Sequence, residues 1–495
     1  MEFVVPDVRL SGIAPELTLA MAALVLLVVD AVLGRHLPKW TLAAASTVAL
    51  GIAGAFAVAA WDVNELQLEG MVASDGFAVF VKIALATFAL LTVWLARAHV
   101  VDAALDDSEF YALVLFATAG MMLMASAADL IMMFLALETF SLALYVLVAF
   151  RRRSLTSQES SMKYFLLGAF SSAFFLLGIA LVYGAVGSTS LYGGDGQPGI
   201  VEFLRTTPTS DFTLLFLATG LLIVGLGFKV AAVPFHMWTP DAYQGAPSAV
   251  TGFMAAASKL AGFAALIRLL DVALFSLRWD WQPLVIGVAV ATMVMGSILA
   301  VVQEDVKRLL AYSSIAHAGF VLTAVVAASD DAVAGSLFYL ATYGLTVLGA
   351  FAVVAVLAGE GESRTRLVDY KGLFYARPLL AAALSLFLLS LAGVPLTSGF
   401  VAKLVVFGPA IESGYTWLVV VGMLSSAIAA FFYLRVMVVM YMQERDAGAP
   451  RIEVPALSGG VIALTALATI GLGLAWAPLI EVAEQATVLF TTAGG

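Results

Sequence analysis

Seven side chains in or beside long apolar runs are of types that can take up and release protons: Glu138, Lys163, Lys229, Lys259, His317 and Lys403, with His236 as a further candidate. Glu138 lies about nine residues into the run "DLIMMFLALETFSLALYVLVAF", roughly 14 Å deep at 1.5 Å per residue, which is close to the middle of a bilayer. A charge at such depth costs about 2.5–3.5 kcal/mol even on the lenient insertion scale, so a buried ionisable group needs a partner or a use. Burial and a neighbouring carboxylate act in opposite senses on a lysine's hold on its proton. A change in the Glu138–Lys229 partnership could therefore load or release a proton. The competing reading is a static buried ion pair that holds helices in register. Lys82 and Arg435 lie near span ends and are expected to snorkel to the surface. Lys163 follows the basic turn "RRRSLTSQESSMKYF" and could simply face water, and His236 stands beside a turn on the same side.

Two of the lysines sit beside helix breakers. In "GLGFKVAAVPFHMWTPD", Pro234 lacks an N–H and clashes with the carbonyl of Val230, directly after Lys229. In "SLFLLSLAGVPLTSGFVAKLVVFGPA", Gly393, Pro395 and Gly399 interrupt a long apolar helix ahead of Lys403. Broken helices at membrane depth are tolerated where the backbone is packed in protein or lines a wet cavity, and transporters place their sites there.

The elements that must position these residues are membrane spans. Of 495 residues, 62% are hydrophobic and 12% charged, which excludes an ordinary soluble domain. Apolar runs near 12–33, 40–61, 76–97, 109–127, 129–150, 160–187, 212–236, 242–270, 283–302, 305–328, 332–358, 378–408, 415–442 and 456–477 read as fourteen helices. Fourteen of the 24 Lys and Arg fall in alternate connections on one side, and only Arg9, Arg205, Arg268 and Arg278 fall on the other. That bias places the basic side in the cytoplasm and both termini outside it. The opposite loops are acidic, with Asp62, Glu65, Glu69, Asp75, Asp211, Asp330 and Asp331. No cysteine is present, so thiolate metal sites and Cys-ligated clusters are excluded, and any electron transfer belongs to a partner. No phosphate-binding glycine loop, dinucleotide fingerprint or metal-ligand spacing is found, and no nucleic-acid partner is expected.

Glu138 precedes Lys229 by 91 residues and His317 precedes Lys403 by 86, a spacing that suggests copies of five spans. An odd number of spans per copy makes two such copies inverted in the membrane. The expected organisation is three helices in 1–108, a first repeat of helices 4–8 in 109–270, a second of helices 9–13 in 283–442, and a last helix and tail in 443–495. Glu138, Lys229, Lys259, His317 and Lys403 would then form one midplane row suited to proton transfer by relay.

Across about residues 110–442 the sequence resembles the antiporter-like subunits of bacterial proton-pumping NADH:quinone oxidoreductase, respiratory complex I. The likeness rests on "ALETFSLALYVLVAFRRRS", "GLGFKVAAVPFHMWTPDAYQGAPSAVTGFMAAASKLAGF", "QEDVKRLLAYSSIAHAG" and "LSLAGVPLTSGFVAKLVVF". The string "VPFHMWTPDAYQGAP" is similar to the N-type subunits rather than to their M and L relatives, whereas "KRLLAYSSIAHAG" is shared across the superfamily. The resemblance implies an all-α polytopic fold of fourteen helices with two inverted repeats and broken helices 7 and 12. It implies Glu138 as ion-pair partner, Lys229 as broken-helix carrier, Lys259 as connecting lysine, Lys403 on the exit side and Lys163 at the start of helix 6. NADH, FMN, iron–sulfur clusters and quinone would be held by partner subunits, among them M-type and small K/J-type membrane neighbours, in the cytoplasmic (inner) membrane. Many relatives carry a proline five residues after the helix-5 glutamate where this chain has Ala143. The rivals are a subunit of a Na⁺ or K⁺/proton antiporter and a structural membrane-arm spacer.

Overall fold

The computed structural model describes residues 10–33, 38, 40–100, 108–194, 197–207, 213–445, 451–486 and 488. Arg9, Arg35, Lys39, Asp211, residues 101–107 and 446–450 and the extreme termini lie outside the described residues.

Apolar runs become helices in the expected order. They are α1 (Ala14–Leu33), α2 (Trp40–Ala59), α3 (Gly76–Val100), α4 (Ser108–Ser126), α5 (Leu130–Val148), α6 (Leu155–Val186), α7a (Thr213–Val230) and α7b (Trp238–Gly245). There follow α8 (Ser248–Ala273), α9 (Arg278–Val301), α10 (Val306–Ala327), α11 (Asp330–Ala358), α12a (Pro378–Ala392), α12b (Ser398–Glu412), α13 (Thr416–Met442) and α14 (Ala456–Leu474). Thirteen helices among the described residues are long and apolar enough to cross a membrane, and the short halves α12a and α12b supply the fourteenth crossing. Starts are set by side-chain caps that satisfy the first free N–H groups. Asp129 accepts from Ile131 and Met132, Asp305 from Arg308 and Ser329 from Ala332.

Several boundaries move for physical reasons. The span expected at 212–236 stops at Val230, because Ala231 takes a positive φ of 62° and Pro234 cannot continue the ladder. The span expected from 242 starts at Ser248, after Pro247, and the residues before it form the separate α7b. Its helix is interrupted by π-turns at Met254–Ser258 and Arg268–Ala273, and the first directly precedes Lys259. The α5 backbone runs unbroken past Ala143. Two hairpins absent from the sequence reading form at the acidic end: β1 (Glu65–Gln67) pairs with β2 (Val72–Ser74), and β3 (Gly193–Gly194) with β4 (Gln197–Pro198).

Packing repeats itself. In the first half α4 packs on α5, α5 on α6, and α6 on both parts of helix 7; in the second half α9 packs on α10, α10 on α11, and α11 on both parts of helix 12. The centre is formed by α8, α10 and α11, whose apolar residues are almost wholly buried. Leu24, Val28, Leu424 and Phe431 project from α1 and α13, an apolar exterior suited to lipid or neighbouring helices.

Candidate functional site

At the break in helix 7, the C-terminal turn of α7a delivers Lys229 into the core, and a cation suits the negative end of a helix. The Lys229 Nζ lies 4.9 Å from the Phe140 ring centroid, 5.5 Å from those of Tyr145 and Tyr164, and 5.8 Å from that of Phe228. Distances under about 6 Å are in the range of cation–π attraction. Among the described residues no hydrogen-bond acceptor reaches this Nζ. Glu138 acts electrostatically on Lys229 without a direct ion pair, and its carboxylate accepts a hydrogen bond from Ser172 of α6. Trp238 on α7b donates its indole N–H to the Phe228 carbonyl at 2.9 Å, so one acceptor freed by the break is satisfied locally. Trp238 also stacks on Tyr164 at 4.4 Å and lies 6.3 Å from Tyr243, whose hydroxyl reaches Ser314.

Ser314 is where the second lysine is held. Lys259, one residue past the π-turn, donates to the Ser314 hydroxyl at 2.6 Å and to its carbonyl, and lies 5.7 Å from the Tyr343 ring. Gly262, one turn along α8, allows close approach to α7a: a Cβ there would stand 3.0 Å from Val230 Cγ1 and 3.5 Å from Lys229 Cβ. On α10, one turn beyond Ser313 and Ser314, the His317 ring lies tilted 4.9 Å from that of Tyr343, and the charges of both Lys259 and Lys403 act on it. Its Nδ1 meets the Tyr339 hydroxyl at 2.5 Å and its Nε2 the Tyr433 hydroxyl at 3.4 Å. Lys403 stands after the break in helix 12 and turns back on it, donating to the Ala392 carbonyl at 2.7 Å, the Leu391 carbonyl at 3.2 Å and the Ser426 hydroxyl at 2.5 Å. Gly393 permits this: its φ is +87°, and a Cβ there would come 2.9 Å from the Lys403 Nζ.

The structure therefore brings Glu138, Lys229, Lys259, His317 and Lys403 into one chain of contacts through α5, α7a, α8, α10 and α12b, with aromatic side chains between them. Lys229, Lys259 and Lys403 expose only 3%, 2% and 6% of their surfaces. Sequence reasoning missed Tyr145, Tyr164, Tyr243, Tyr339, Tyr343 and Tyr433. Their one available signal was a tyrosine hydroxyl recurring within otherwise largely apolar spans.

Other expected site residues lie elsewhere. Lys163 is 48% exposed and pairs with Glu159 at 2.7 Å and Asp241 at 3.0 Å, at the basic end and off the midplane row. His236 is half-buried in the turn between α7a and α7b, its Nδ1 without a hydrogen-bond partner among the described residues. Lys82 does not snorkel: it is buried against Glu16 at 2.8 Å. Arg435 caps the end of α9, donating to the carbonyls of Val301 and Gln303. Arg268 and Asp75, expected in outer loops, form a fully buried ion pair at 2.7 Å. Arg268 also donates to the Ala125 carbonyl at 2.7 Å and the Tyr192 hydroxyl at 3.2 Å, so the pair ties α3, α4, α8 and the β3 turn together.

The basic end is closed by a clasp. Lys307 at the start of α10 pairs with Glu362 at 2.9 Å, and Glu362 accepts from the Ser248 N–H and hydroxyl at the start of α8. Arg151 donates to the carbonyls of Gly361 at 2.8 Å and Gly245 at 3.0 Å. Burial pushes the Glu362 carboxyl up, but Lys307 and Arg151 more than offset this and hold it below the usual glutamate range.

Inverted five-helix halves, each with a broken helix and a buried lysine, define a membrane subunit of the ion-translocating kind. The family model for the transmembrane region of NADH:quinone oxidoreductase and Mrp antiporters matches residues 127–429. The chain is 50% identical to NADH-quinone oxidoreductase subunit N of Rhodococcus opacus over 385 residues, covering 77% of this chain and 70% of that protein. It is 42% identical to the subunit N of Salinispora arenicola over 98% of this chain and 99% of that one. In structure it is similar to a chain of respiratory complex I from Thermus thermophilus solved with bound aureothin, with a TM-score of 0.80 and 34% identity, covering 96% of this chain and all of that one. A chain of the Mrp complex from Dietzia shares the fold at a TM-score of 0.83 and 23% identity, covering 96% of each chain. The chain belongs to the NADH-quinone oxidoreductase subunit N family, within the NADH:quinone oxidoreductase/Mrp antiporter superfamily.

Proposed function

We propose that this chain, a membrane-arm proton-translocating subunit, moves protons through Glu138, Lys229, Lys259, His317 and Lys403, acting in that order as switch, carrier, connector, relay and exit group. The observation that carries the reading is Lys229, a buried ammonium held by aromatic faces with its carboxylate neighbour one step away. Drawing Lys229 from this cage toward Glu138 changes its hold on its proton, so a modest change in local charge or hydration decides whether it keeps that proton. Lys259 passes the proton on by way of Ser314 to His317 and Lys403. Electron transfer from NADH to quinone takes place in partner subunits and supplies the charge change. Neighbouring antiporter-like and small helical subunits cover the apolar exterior. The basic end faces the cytoplasm and both termini the opposite side.

Lys163 and His236 enter as groups near the cytoplasmic mouth, where Lys163, Asp241 and Arg308 form a partly exposed network. The test is Lys259→Ala in the assembled complex. NADH-driven proton uptake should fall with the subunit still in place, and uptake at the native rate would refute the connecting role.

A further inference from the structure

Three hydroxyls that the lateral row does not use are linked by hydrogen bonds to the His317 imidazole. Ser313 Oγ is hydrogen-bonded to the Tyr433 hydroxyl, the Tyr433 hydroxyl to His317 Nε2 at 3.4 Å, and His317 Nδ1 to the Tyr339 hydroxyl at 2.5 Å. All four residues are buried. The line joins α13, α10 and α11 near the middle of the span, and its two ends lie at different depths. Ser313 is about 10 Å from the basic-end start of α10, and Tyr339 about 14 Å from the acidic-end start of α11, at 1.5 Å per residue. His317 stands between them, where it also feels Lys259 and Lys403.

We infer that Tyr433 and Tyr339 are proton-carrying residues of a branch that crosses the midplane row at His317 and leads toward the acidic end. A neutral imidazole has one N–H and one bare nitrogen, so one tyrosine must donate to it and the other accept from it. A proton delivered to Ser313 by hydronium or a protonated lysine is passed on by exchange. The Ser313 O–H breaks as a new Tyr433 O–H forms, the old Tyr433 O–H breaks as Nε2–H forms, Nδ1–H breaks as a new Tyr339 O–H forms, and the old Tyr339 proton leaves to water beyond. No charge is left on the line, but every group ends reversed. The hydroxyls and the imidazole tautomer must turn back before a second proton passes, which makes the branch one-at-a-time. The inference rests on the relay reading above, because His317 is where the two paths meet.

The experiment uses the whole complex in inside-out membrane vesicles, with NADH oxidation and vesicle acidification recorded together. Tyr433→Phe and Tyr339→Phe keep both rings and remove only the hydroxyls. Each should lose acidification per NADH while NADH oxidation and assembly persist, and the double variant should lose no more than either single one, because a broken wire is broken once. Ser313→Ala leaves every ring in place and should give the same loss, which guards against a tyrosine variant that fails to assemble. Native acidification in Ser313→Ala or in both phenylalanine variants, alongside a loss in Lys229→Ala, overturns the branch and leaves the relay standing. Native acidification in Lys229→Ala as well overturns both.

Discussion

At the scale of single residues, the lysines owe their informative value to contrast. A charge among Leu, Ala and Phe stands out in a sequence because hydrocarbon does not tolerate it without a reason, and Glu138, Lys229, Lys259 and Lys403 were legible on that ground alone. The tyrosines that surround them were not, since an aromatic ring in a span reads as ordinary core until its hydroxyl is seen to face a partner. The cage around Lys229 can be tested on that distinction. The Tyr164 hydroxyl has no hydrogen-bond partner among the described residues, while its ring lies 5.5 Å from Nζ. Tyr164→Phe should therefore leave proton pumping near native, and Tyr164→Leu should lower it by removing a cation–π contact worth about 0.5–2 kcal/mol. Vesicle acidification driven by NADH measures both, and equal behaviour of the two variants would argue that the ring acts only as packing.

At the scale of elements, the breaks in helices 7 and 12 followed from Pro234, Gly393 and Pro395, but their consequences did not. Lys229 lies before its break and Lys403 after, so the same breaker chemistry frees α7a to present a caged ammonium and turns α12a carbonyls into acceptors for Lys403. The π-turn before Lys259 has no sequence signature in an all-helical stretch of small residues, and the Arg268–Asp75 pair was misplaced because charges at span ends count as loop charges until the β1–β2 and β3–β4 hairpins are seen to cover that end. The clasp at the other end makes a prediction of its own. Its contribution is complete above the ordinary glutamate range and is lost only as pH falls through the depressed value of Glu362, because protonation then leaves Lys307 and Arg151 facing a neutral group. Glu362→Gln should remove that acid-side transition and, by leaving the buried Lys307 without its charge partner, destabilise the basic end by about 3–5 kcal/mol. Unfolding midpoints of the purified complex across an acid series check both effects, and a variant as stable as the native protein would show the clasp to be idle.

At the scale of the whole molecule, two halves of like packing and opposite direction place a lysine at each break, with α8 and α10 supplying Lys259 and His317 where the halves meet. The fold was readable because span length, breaker position and charge side are each set by the bilayer. The continuity of the path was not, because it depends on which faces of separate helices meet. The proposed relay hangs on that continuity: it requires protons to pass through these side chains as electrons pass elsewhere in the complex. The most direct measurement is the number of protons moved per NADH oxidised by complex carrying Lys229→Ala, in vesicles with assembly verified. The account predicts a lower ratio than native, with Lys163→Ala, off the row, reduced less; a native ratio for Lys229→Ala would contradict it.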